Sequence, residues 1–122
     1  MSGFQDKFNA YGGDYTATMG RFLGKEAMYL RFLDMLFQDD SLRQLGEALE
    51  AGNMKDAFAA AHTLKGVVGN MGLTPLYQAV CAVTEPLRAG EQNENYSALY
   101  QAIQAEFRRA DLLREQLKGG GK

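Results

Sequence analysis

The chain has 122 residues, 46% of them hydrophobic, which is enough for one ordinary domain with a core that needs no disulfide or structural metal. Its 13 basic and 15 acidic residues leave a net charge of −2 with no long basic block, which excludes the electrostatic footprint of a nucleic-acid or anionic-membrane binder. The one cysteine fits a reducing compartment, no stretch is apolar for long enough to span a bilayer, and the first residues form no secretory leader, so a cytoplasmic protein is expected.

In chain order, residues 4–11 read as a short helix with Phe4 and Phe8 at i, i+4, broken by Gly12-Gly13. Asp14 suits the N-cap of a second short helix that runs to about Leu23, with Tyr15, Met19 and Phe22 inward. Residues 25–38 form the first long helix. Met28, Tyr29, Phe32, Leu33, Leu36 and Phe37 recur there at spacings of three and four, a wide apolar face. After Asp39-Asp40, Ser41 and Gln44 have the spacing of a capping box, and a helix follows to about Ala51 with Leu42, Leu45, Ala48 and Leu49 inward.

Gly52-Asn53 is a stop followed by a start. Asn53 caps a helix over 54–71, and Asp56 in its first turn suits the macrodipole. Gly72 is placed as a left-handed C′ residue, with Leu73 supplying the apolar contact that follows it. Thr74-Pro75 restarts the chain at once, as N-cap and N1, so the next helix returns antiparallel. That helix runs to about Ala89 with Leu76, Ala79, Val80, Val83 and Leu87 inward, and Pro86 should kink it or end it early. A polar loop over 90–95 leads to a last long helix, 96–117, with Leu99, Ile103, Phe107, Ala110, Leu113 and Leu117 on one face. Helix count and loop lengths predict an all-α, antiparallel up-down four-helix bundle with short N-terminal helices. One domain over 1–118 and a disordered tail over 119–122 complete the expectation.

The helix over 54–71 holds the only histidine of the chain. Positions 62, 66 and 69 stack on one stripe, which reads His62, Gly66, Gly69, while Ala57, Ala61, Leu64, Val68 and Met71 face the other way. Each glycine inside a helix costs roughly 1 kcal/mol relative to alanine, a cost that a purely structural helix has little reason to accept. Removing Cβ atoms beside an imidazole clears a landing area for another molecule. Lys65, three residues on, brings a positive charge to the edge of that face. Neutral imidazole is a good nucleophile near neutral pH. Phosphoryl transfer needs mainly positioning and charge neutralisation. The chain has no Gly-rich nucleotide loop and no acidic pair suited to Mg²⁺, so it is not expected to make phosphohistidine from ATP alone.

The run His62-Thr63-Leu64-Lys65-Gly66, with Ala61 before it and Gly69-Asn70-Met71-Gly72 after it, resembles the signature of histidine-containing phosphotransfer (HPt) domains. These are helical-bundle phosphocarriers of two-component phosphorelays, mostly monomeric. The resemblance implies the same four-helix fold, with His62 as phosphoacceptor and Lys65 holding the phosphoryl group. Gly66 would give close approach, and Phe58 and Gly69 would belong to the docking surface. The implied partners are receiver domains of response regulators and of hybrid sensor histidine kinases. Mg²⁺ would sit on the receiver, and the chain itself would hold no cofactor or metal.

Plainer readings stand beside these. A lone helical histidine is usually structural, but the core side of this helix is already supplied by Ala61 and Leu64. Gly69 fits close helix packing as well as docking, and Phe58 fits the core boundary. Cys81 reads as buried and inert, and Arg108, Arg109 and Arg114 as a solvated face. The competing function is a helical adaptor that binds receivers or kinases without carrying phosphate. A metal-binding bundle would need several inward His or Glu ligands, and the sequence has one histidine and no Glu-x-x-His pair.

Overall fold

The computed structural model of the chain describes residues 3–91 and 94–119. Seven helices and no strand are found among them: α1 (Gly3–Tyr11), α2 (Tyr15–Gly20), α3 (Glu26–Gln38), α4 (Ser41–Ala51), α5 (Met54–Asn70), α6 (Thr74–Arg88) and α7 (Tyr96–Gly119). The helices α4, α5, α6 and α7 each pack on the next in sequence, and α4 also meets α7. α1 and α3 lie against α7. The core is continuous, with Leu33, Leu45, Leu64, Val68, Leu76, Val80, Val83 and Ile103 at 0–1% exposure.

The ends of α5 follow from its flanking residues. Asn53 Oδ1 accepts the Asp56 N–H at 3.1 Å, satisfying one donor of the first turn. At the other end, Gly72 has φ +70°, the Gly72 N–H donates to Gly69 O and the Leu73 N–H to Val68 O. That pair of bonds is a Schellman motif, and the fully buried Leu73 supplies its apolar contact. A side chain at Gly72 would also collide with Thr18 of α2, so two constraints require glycine there.

The short N-terminal helices close over the same end of α5. Phe4, Phe8 and Phe22 meet the ring of Tyr29 edge-on, at centroid distances of 6.2, 5.7 and 5.1 Å. The Tyr29 hydroxyl, buried beneath them, donates to Met71 O at 2.7 Å. Burial pushes its pKa well above the ordinary value. Arg21 donates from Nη1 to Gly69 O and Asn70 O, at 3.4 and 3.0 Å, at the carbonyl end of the helix.

Several local expectations need correction. α2 stops at Gly20 rather than near Leu23, because Leu23 and Gly24 both turn to positive φ, 55° and 73°. No capping box forms at Ser41 and Gln44. Ser41 is already helical, and the Asp39 carboxylate takes its N–H at 2.9 Å. Thr74 is the first helical residue of α6 and Leu73 its N-cap. Pro86 does not stop α6 at once, and the helix continues to Arg88. On the wide apolar face of α3, Tyr29, Leu33 and Leu36 occupy the buried stripe, and Phe32 falls to its edge and is 45% exposed. Cys81 is half-buried. Gly119 is the last residue of α7 rather than part of a tail, and positions 120–122 lie outside the described residues.

Two of the three arginines of α7 are tied down rather than free on a solvated face. Arg114 bridges Asp34 and Asp111, at 2.8 and 2.6 Å, and lies over the Phe37 ring. Arg109 pairs with Glu106 at 2.8 Å and donates to Tyr11 O. Lys118 also reaches Asp34, at 2.7 Å. The Lys118 hydrogen bond, then that of Arg114, holds the Asp34 carboxyl below its ordinary pKa.

Candidate functional site

The surface of α5 carries the site. Ala57, Ala61, Leu64 and Val68 of this helix are all 0–1% exposed, so the helix has one rotational setting. His62 consequently points to solvent. Among the described residues its ring has no hydrogen-bond partner. Its neighbour is Phe58, one turn back, whose ring stacks on the imidazole at 5.6 Å between centroids and 27° between planes. That contact limits how far the imidazole swings and leaves its nitrogens open to solvent.

One turn past His62, Gly66 faces open space. A Cβ built there would meet nothing within 4 Å. Gly69 is different, since a Cβ there would stand 3.0 Å from the ring of Tyr77 on α6. The two glycines of one stripe thus sit in different surroundings. The first leaves the flank of the imidazole bare, and the second admits an aromatic ring from the neighbouring helix.

Lys65 lies at the seam between α5 and α6 with its side chain 24% exposed. Its Nζ is 3.6 Å from Oε2 of Glu85. The same oxygen is 3.5 Å from Nη2 of Arg88, and the Arg88 guanidinium lies 5.5 Å over the Phe58 ring. Lys65, Glu85 and Arg88 thus form one ionic cluster at the α5–α6 seam, joined to the imidazole through the Phe58 ring.

Two clefts meet at His62 and Gly66. One, of about 660 Å³, opens between α5 and α2 and has Lys65, Arg21, Asn70 and Tyr77 among its walls. The other, of about 570 Å³, opens toward α3 and is bordered by Phe32, Met35 and Val67. Phe32 and Met35 are 45% and 59% exposed, an apolar edge beside a polar centre. Residues 58, 62, 65 and 66 are thus gathered at one place, with 69 behind them under Tyr77. The sequence reading did not single out Arg21, Met35, Glu85 or Arg88 as part of this surface. No spacing signal within one helix could have, because they arrive from other elements.

One face of the domain thus presents an exposed imidazole, a lysine one turn on and a bare helical flank, an arrangement that can offer a single nucleophile. Among the described residues no three His, Cys, Asp or Glu side chains gather as a metal site, and no helix is long and apolar enough to cross a membrane. The sequence model of the Hpt domain family matches residues 28–119, most of the chain. The chain belongs to the Hpt domain family, whose members serve phosphotransfer in two-component signalling and interact with receiver and kinase domains. Searches of curated proteins and of solved structures returned no match.

Proposed function

We propose that the chain is a phosphocarrier of a phosphorelay, with His62 as the phosphoacceptor, an antiparallel up-down four-helix bundle (α4 to α7) as its scaffold, and no kinase activity of its own. The observation that carries this reading is the exposed imidazole, without a hydrogen-bond partner among the described residues, beside the open flank of Gly66. The donor is an aspartyl phosphate on a receiver domain, belonging to a response regulator or a hybrid sensor kinase. The lone pair of one ring nitrogen attacks phosphorus, the bond from phosphorus to the aspartyl oxygen breaks, and its electrons return to the carboxylate. The proton on the other ring nitrogen stays, so the ring gains one positive charge and the dianionic phosphoryl group moves intact. The reverse sequence hands the group to a second receiver.

This chain supplies three things to that exchange. Phe58 steadies the imidazole, Gly66 lets the receiver approach, and Lys65 neutralises charge on the equatorial oxygens. Phe32 and Met35 offer apolar contact area on one side of His62, and Arg21 offers charge on the other. Mg²⁺ belongs to the receiver, not to this chain. The test is transfer of label from a phosphorylated receiver to wild type and to His62→Gln. The reading expects an acid-labile, base-stable label on wild type only. A chain that binds receivers with or without the imidazole, and takes label in neither form, is an adaptor instead.

A further inference from the structure

Resting on that transfer, we infer that Glu85 is a positioning residue that competes with the phosphoryl group for Lys65 and so sets how firmly the carrier holds its load. Lys65 is the cation nearest in sequence to the acceptor, yet its ammonium is engaged across the helix seam by Glu85 at 3.6 Å. For Lys65 to serve the phosphoryl group it must leave that carboxylate. The structure makes the departure easy. The contact is longer than a good charge-assisted hydrogen bond, and Glu85 is 59% exposed. A long contact to a carboxylate that stands mostly in solvent contributes little, so a dianion on His62 outbids it.

Departure would normally strand a carboxylate beside a new dianion. Here the same Oε2 already has a second cation, Arg88 at 3.5 Å. Arg88 in turn rests on Phe58, and Phe58 on His62. The set runs from Lys65 through Glu85, Arg88 and Phe58 back to the acceptor four residues further along α5. Before phosphorylation, Glu85 shares two cations. Afterwards it keeps Arg88 while Lys65 turns to the phosphoryl oxygens. Each anion then has its own cation. A carrier must release what it accepts, and a carboxylate competing for the holding lysine keeps phosphohistidine from becoming too stable.

The experiment measures the equilibrium share of label on this chain after mixing with a phosphorylated receiver and Mg²⁺. Wild type, Glu85→Gln, Lys65→Met and the double variant are compared, each also labelled with phosphoramidate, a small donor that needs no docking. Glu85→Gln is expected to raise the ratio of labelled chain to labelled receiver about threefold, the size of one surface ion pair. In the Lys65→Met background the same change should have almost no effect, which is the coupling that a double-mutant cycle isolates. An equal effect in both backgrounds would mean that Glu85 acts by simple repulsion and overturns the exchange. No effect, or a loss, in the wild-type background also overturns it. If wild type takes no label from either donor, the carrier reading fails and this inference falls with it. If wild type is labelled at His62 and the cycle shows no coupling, the inference alone fails.

Discussion

Replacing Gly66 by alanine sets stability against function at one atom. Gly66 lies inside α5, where glycine is about 1 kcal/mol less favourable than alanine. The added Cβ meets nothing within 4 Å, so no packing term opposes the gain. At about 2.1 cal/mol/K per residue, a gain of about 1 kcal/mol in a 122-residue chain raises Tm by about 4 °C. In the proposed transfer, the same methyl stands on the flank of His62 from which the receiver approaches, so the transfer rate should fall while stability rises. Gly69→Ala is the internal control. Its Cβ would stand 3.0 Å from the Tyr77 ring, so displacement of the ring offsets the helix gain and Tm should rise less than for Gly66→Ala. Thermal melts and initial transfer rates on the two variants decide the matter. A fall in Tm for Gly66→Ala would refute its solvent-open placement. A rise with an unchanged transfer rate would refute the role of Gly66 in close approach.

Two further predictions concern how the scaffold is held. Tyr29→Phe removes the buried hydroxyl that donates to Met71 O and should cost about 1 kcal/mol in a denaturant titration; an unchanged midpoint would show that this bond does not tie α3 to the end of α5. Asp34 has its folded-state pKa lowered, first by Lys118 and then by Arg114, so its contribution is fully present above the ordinary carboxylate pKa of about 3.9 and is lost as pH falls through the folded value. Asp34→Asn should therefore lose less stability than wild type on acidification from about pH 5 to about pH 2, and parallel acid profiles would remove this group from the account.

The motif helix was legible because one helix contains the whole signal. Ala57, Ala61, Leu64, Val68 and Met71 mark its buried side by period alone, and all five are buried. The caps at Asn53 and Gly72 are equally local, since a side chain or a left-handed glycine acts within its own turn. The wide apolar face of α3 was harder. Periodicity shows that such a face exists but not which edge stays in solvent, and Phe32 falls on the exposed edge. Arg21 comes from the end of α2 and Glu85 and Arg88 from the last turn of α6, and they acquire their roles only when these elements meet α5. The carboxylates three residues before Arg109 and Arg114 are visible in sequence, but their further partners Tyr11 and Asp34 lie 98 and 80 residues away.

The most direct measurement is the location of the phosphoryl group itself. After incubation with a phosphorylated receiver and Mg²⁺, the chain is digested and mapped by mass spectrometry under alkaline conditions, where phosphohistidine survives. The account predicts a single phosphorylated site at His62, absent from His62→Gln. A phosphoryl group on another residue of wild type, or one that persists in the variant, would contradict it.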